Sequence, residues 1–147
     1  MSTVQAADWF AKGIEALSHD HVYLARTCFE HAAEEERSPL NCSYLALCQA
    51  KTRGKFGDAI DLARQAIAEE PDNAVNYLNL GRIYLLAGMR EEAIAIFRQG
   101  VQYGRREEIA AELDRLGTRK APPIRSLPRS HPLNRYLGIL LARLGLR

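Results

Sequence analysis

His19-Asp20-His21 places two imidazoles and a carboxylate within three residues, a set that could begin a metal site. Zinc requires four ligands, or three and a water, and no third ligand with suitable spacing lies nearby. The triplet therefore reads as a solvated turn. Cys28, Cys42 and Cys48 could supply thiolates, but they are odd in number and form no Cys-x-x-Cys. They fit buried, reduced thiols in a cytoplasmic protein. Gly54-Lys55 lacks the upstream glycine and the strand of a phosphate-cradling loop. Neither His-Glu-x-x-His nor Gly-x-Ser-x-Gly occurs. No enzymatic activity, cofactor or metal is expected.

Charge is distributed unevenly. All 18 Asp and Glu lie in residues 1–117 with 13 Lys and Arg, a balance of −5; residues 118–147 carry 7 Lys and Arg and no acid. The run Glu34-Glu35-Glu36 falls at a helix C-terminus, where the dipole disfavours anions by a few tenths to about 1 kcal/mol. It reads as a solvated face, with docking of the basic segment as the alternative. With Tyr136 as the one aromatic among the tail cations, nucleic acid is not an expected partner. The start, Met-Ser-Thr-Val-Gln-Ala-Ala-Asp, has neither a basic nor an apolar leader region, so no signal peptide is expected. At 147 residues and 47% hydrophobic content the chain suits one globular domain.

The elements that organise these residues follow a grid of 34. Ala25, Ala59 and Ala93 keep that spacing, as do Ala32, Ala66 and Gly100, and Phe29, Ala63 and Phe97; Gly54 pairs with Gly88. A constant period of this size marks a solenoid whose units bury their apolar faces against their neighbours. The repeats are 6–39, 40–73 and 74–107, each two helices joined by a tight turn. Gly54 and Gly88 suit the left-handed residue that ends a helix. Asp20 should cap the second helix of the first repeat, Ser38 and Asn73 should cap the first helices of the next two, and Gly104 should end the last.

On these residues a family resemblance is evident. Tyr77, Leu80, Gly81, Tyr84, Ala93 and Phe97 in the third repeat, and Trp9, Gly13, Ala25, Phe29 and Ala32 in the first, resemble the tetratricopeptide repeat (TPR). The second repeat departs from it at Ser43, Ala46, Leu47 and Ala50, keeping Gly54, Ala59, Ala66 and Pro71. The resemblance implies an all-α, right-handed superhelix with a concave groove lined by the first helix of each repeat. It places Phe10, Ile14 and Leu17 in that groove from the first repeat. From the second come Asn41, Tyr44, Leu45 and Cys48, and from the third Val75, Leu78, Asn79, Arg82, Leu85 and Leu86. A variant of the family grips a chaperone's C-terminal carboxylate with Lys, Arg and Asn. Phe10, Ile14, Leu45, Val75 and Asn79 stand at those positions without a cation, so heat-shock chaperone tails are not expected.

Residues 105–117 should form a seventh helix that caps the array with Ile109, Leu113 and Leu116, completing a domain over 1–117. Pro122, Pro123 and Pro128 make 118–131 an extended basic linker. Residues 132–147 read as an amphipathic basic helix on which Leu133, Tyr136, Leu137, Leu140, Leu141 and Leu144 share an arc of roughly 140°. That face needs cover from its own groove, a second copy, a partner or lipid. Protein is the expected cover, within the chain or by self-association, and a membrane surface is the less favoured one. The expected function is an adaptor that binds a protein or peptide in its groove, oriented by Tyr44, Asn41, Asn79 and Arg82. A small assembly or secretion chaperone and a peripheral membrane protein are the alternatives.

Overall fold

The computed structural model describes residues 2–117 and 131–145, and these form two separate compact units that meet in sequence at Leu116 and Gly117. The first unit runs α1 (Ser2–Ser18), α2 (Val22–Glu35), α3 (Pro39–Arg53), α4 (Phe56–Glu69), α5 (Ala74–Leu86) and α6 (Arg90–Gly100). A 3-10 turn (Val101–Tyr103), not expected from the sequence, then leads into α7 (Arg106–Arg115). The second unit contains α8 (Pro132–Arg143). No strand occurs among the described residues. The expected linker over 118–131 lies outside the described residues, apart from His131.

Helices pair as α1 with α2, α3 with α4 and α5 with α6, and α3 also packs against both α2 and α5. Glycines permit these approaches. A Cβ on Gly13 would lie 2.7 Å from the Phe29 ring, and one on Gly81 would lie 2.1 Å from the Phe97 ring. Gly100 similarly receives Tyr77, at 2.4 Å from a hypothetical Cβ. In the second repeat the same grid positions hold Leu47 and Ala63, both buried in one cluster with Ala46 and Ala59. Bulk has moved from the second helix to the first, which keeps the pair filled.

The turns follow the 34-residue grid more closely than the sequence suggested. Gly54 (φ 64°) and Gly88 (φ 75°) are left-handed, and so is Asp20 (φ 58°), one period before Gly54. Asp20 therefore does not cap α2; it takes the glycine's place, a conformation that short polar residues tolerate better than others. His21 stands at the cap instead, without a side-chain bond. Ser38 and Asn73 do cap, accepting from the N–H groups of Asn41 and Val75.

Two buried clusters share α3. Cys48, with Tyr44 and Leu45 against it, joins Ala16, Ala25 and Phe29 of the first repeat. Ala46, Leu47 and Ala50 join the larger cluster that continues through α5 and α6 to Ile109. Leu113 and Leu116 pack on that cluster, so α7 covers the apolar end of the last repeat. Arg90 of α6 donates to the Leu116 carbonyl at the far end of α7.

Candidate functional site

The expected groove residues divide between core and surface. Leu78 is 2% exposed in the main cluster, and Cys48 is wholly buried in the other. Val75 is also buried. Leu78 and Cys48 pack between helices, because α3 and α5 each have helices on more than one side, whereas Val75 borders an opening with Leu40, Asn73, Tyr103 and Arg105. Leu45 lines a depression with Glu30, Ala33, Glu34 and Leu62, residues of α2 and α4. It thus opens among the second helices.

The two groove asparagines hold the array together. Asn41 donates its side-chain N–H to the carbonyls of Ala32 (3.3 Å) and Glu36 (2.8 Å) at the end of α2. Asn76 does the same one repeat later, to Ala66 (3.3 Å) and Glu70 (3.5 Å). These carbonyls at the helix ends already accept backbone N–H groups, and a buried amide that adds a second bond to them joins consecutive repeats. Asn79 is fully buried and donates to the Ser43 hydroxyl at 3.0 Å, tying α5 to α3. Neither Asn41 nor Asn79 is free to orient a ligand.

Phe10 and Tyr44 meet edge to face at 5.4 Å, and Tyr44 stacks on Phe29 at 5.2 Å. Phe10, Ile14 and Leu17 are half-buried against this aromatic group. Burial pushes the Tyr44 phenol above its ordinary range, against the opposing influence of Arg105 and Arg82. Tyr44 is therefore within electrostatic reach of α5 and of the residue that precedes α7.

Among the openings on this unit is a cleft of about 380 Å³ lined by Lys51 of α3, Arg82, Leu85 and Leu86 of α5, and Glu112 and Arg115 of α7. Leu86 is 44% exposed. Arg82 donates to the buried Glu112 carboxylate at 2.9 Å, and Arg115 stands 3.7 Å from its other oxygen. Lys51 makes no ion pair with another described residue. Three cations and one carboxylate thus surround two leucines. Of the expected groove residues the cleft holds Arg82, Leu85 and Leu86. Lys51 was missed although it sits on the grid, 34 residues after Leu17 and 34 before Leu85. Glu112 and Arg115 belong to α7, which no repeat register places.

The expected tail face is largely open. Leu133, Tyr136, Leu140 and Leu144 are exposed, while Leu137 and Leu141 are half-buried. No group of three metal-ligating side chains occurs among the described residues. No helix there is long and apolar enough to cross a membrane.

Helix pairs on a constant register, each buried against its neighbours and closed by α7, define an all-α repeat superhelix. The family model for the tetratricopeptide repeat matches residues 50–114, and the tandem helix pairs agree with that repeat's architecture. Solved structures agree in fold. The Arabidopsis OM64 TPR domain matches with TM-score 0.65 at 18% identity, over 80% of this chain and 98% of that one. The first TPR of Spaghetti (RPAP3), bound to the HSP90 peptide SRMEEVD, matches with TM-score 0.64 at 17% identity, over 78% and 94%. The Sgt2 TPR domain from Aspergillus fumigatus matches with TM-score 0.59 at 14% identity, over 90% and 95%. No curated protein sequence matches significantly.

Proposed function

We propose that the chain is a protein-interaction adaptor whose α3–α5–α7 cleft receives a segment of a partner protein. The observation that carries this reading is the cleft's composition. Leu85 and the exposed Leu86 offer an apolar floor, and Lys51, Arg82 and Arg115 outnumber Glu112 around it. Such a site favours a peptide with one or two large apolar side chains flanked by carboxylates, since burial supplies affinity and charge supplies selection. One structural neighbour was solved with the peptide SRMEEVD, which also bears carboxylates beside an apolar residue. The family's carboxylate-gripping positions hold Phe10, Ile14, Leu45, Val75 and Asn79 here, so those positions offer the free C-terminus of such a tail no cation.

A random-peptide display selection against the whole chain tests the reading. Enriched peptides should carry Asp or Glu beside a large apolar residue, and Leu86→Glu with Lys51→Glu should abolish capture while leaving helicity unchanged. Enriched peptides that bind the double variant as well as the parent would place the site elsewhere.

A further inference from the structure

The stripe on α8 is open along one side, and Ile139, 50% exposed, stands beside it. Leu133, Tyr136, Leu140 and Leu144 are 53%, 69%, 40% and 62% exposed, and their spacing of three, four and four residues sets them one above another on a helix. The adjoining side differs, with Leu137 and Leu141, next to the stripe on the wheel, and Gly138 half-buried, and Asn134 buried. The helix start is locally encoded: Pro132 occupies the first turn, and His131 Nδ1 accepts from the Leu133 N–H at 3.3 Å. Five large apolar groups in water, four on a 12-residue helix and Leu144 at its C-cap, call for a covering phase.

The charge around the stripe selects that phase. Residues 118–147 hold seven cations and no carboxylate. On the wheel Arg143 falls about 20° from Tyr136, at the edge of the stripe. An arginine there can keep its guanidinium among polar groups while its stem lies on an apolar surface. Tyr136, with an apolar ring and a polar tip, suits the same boundary. A helix of about 18 Å cannot anchor through its apolar face alone, and cations beside it provide the second attraction that interfacial binding requires. The cleft on the repeat array is itself cationic, so it does not complement this basic segment.

We propose that α8 is a lipid-surface helix: it lies in the interface of an anionic membrane, with Leu133, Tyr136, Leu140 and Leu144 toward the acyl chains and Arg135 and Arg143 among anionic headgroups. This site is separate from the cleft and does not depend on what the cleft binds.

The test is flotation of the full chain with phosphatidylcholine vesicles, with and without phosphatidylserine. Phosphatidylserine should raise the floated fraction about tenfold or more, and salt of about 0.5 M should reverse the gain. Leu133→Ala with Leu140→Ala retains helix-forming residues and should lower flotation about tenfold. Arg143→Glu should weaken binding to phosphatidylserine vesicles selectively. All variants should keep the parent's urea midpoint, since these side chains lie outside the repeat core. Absence of flotation, equal flotation on both vesicles, or flotation untouched by the leucine variant would overturn the proposal. So would a lipid-free dimer that the leucine variant converts to monomer, because the stripe would then belong to a second copy.

Discussion

Replacing Gly81 with alanine sets helix propensity against packing, and the structure decides the sign. A glycine inside a helix costs about 0.8–1.0 kcal/mol relative to alanine, so propensity alone predicts stabilisation. At Gly81 the new Cβ would lie 2.1 Å from Cε1, 2.5 Å from Cδ1 and 2.6 Å from Cζ of Phe97. The Phe97 ring is fully buried, with Leu80, Ile83 and Ala93 in the same cluster, and has no open space into which it can retreat. Overpacking costs about 1–3 kcal/mol, and three approaches this short place Gly81→Ala near the upper end. Subtracting the propensity gain leaves a net loss of about 1–2 kcal/mol. Gly57 in α4 is the control, because a Cβ there meets nothing within 4 Å. Gly57→Ala should be neutral or stabilising by up to about 1 kcal/mol.

Urea unfolding followed by far-ultraviolet circular dichroism compares the two, reading midpoints at constant slope. A Gly81→Ala midpoint equal to or above that of Gly57→Ala would refute the packing argument. A second measurement isolates the contact. In a Phe97→Leu background, alanine at Gly81 should cost less than it does alone, with a coupling above about 0.5 kcal/mol. Simple additivity would mean that the glycine is not there for the ring.

Asp20→Gly should raise stability by about 0.5–1 kcal/mol, since glycine adopts the left-handed conformation at Asp20 without a steric cost; a lower urea midpoint would show that the aspartate makes a compensating contact. Leu78→Glu should abolish cooperative folding, because it puts a carboxylate at a buried site without a partner; a folded, helical variant would return Leu78 to the groove. Burial pushes the Cys48 thiol from 9.0 up to about 12. The native chain therefore keeps a proton that the unfolded chain loses between about pH 9 and 12, and stability should fall as pH rises through that window. Cys48→Ala should flatten this alkaline limb, seen in urea midpoints measured across it. Glu112→Gln should release Arg82 and Arg115, tightening capture of acidic peptides several-fold while lowering stability by about 1–3 kcal/mol; unchanged affinity would mean the arginines do not touch the ligand.

The repeat units were legible because burial in a solenoid is periodic. Ala25, Ala59 and Ala93 are each wholly buried, and Phe29 and Phe97 each fill the space left by a glycine. The second repeat looked weak because each of its positions was judged alone. Leu47 and Ala63 depart from the glycine and phenylalanine of the other repeats together, and a pair that exchanges bulk preserves what the fold selects, which is filled volume. Asp20 was misread for a related reason. Its side chain suggested a cap, whereas its place one period before Gly54 identified the backbone conformation it must adopt.

The groove was less legible because the register gives the helix face and not the depth. Asn41, Cys48, Val75, Leu78 and Asn79 do lie on first helices, but α3 packs against α2 and α5, and α5 against α3, α4 and α6. Neighbours on several sides leave little of such a helix open. Almost every residue of α5 from Ala74 to Tyr84 is buried, with Arg82 the exception. Exposure returns toward the C-terminal ends of α3 and α5, at Lys51, Leu85 and Leu86, beyond the stretch where the repeats need apolar contact. There the side chains are released from packing and can differ in chemistry from one repeat to the next. Leu17, Lys51 and Leu85 share one register position yet differ in charge. A position that the fold does not constrain is where recognition can be written, and for that reason the cleft closed by α7 is the site we propose.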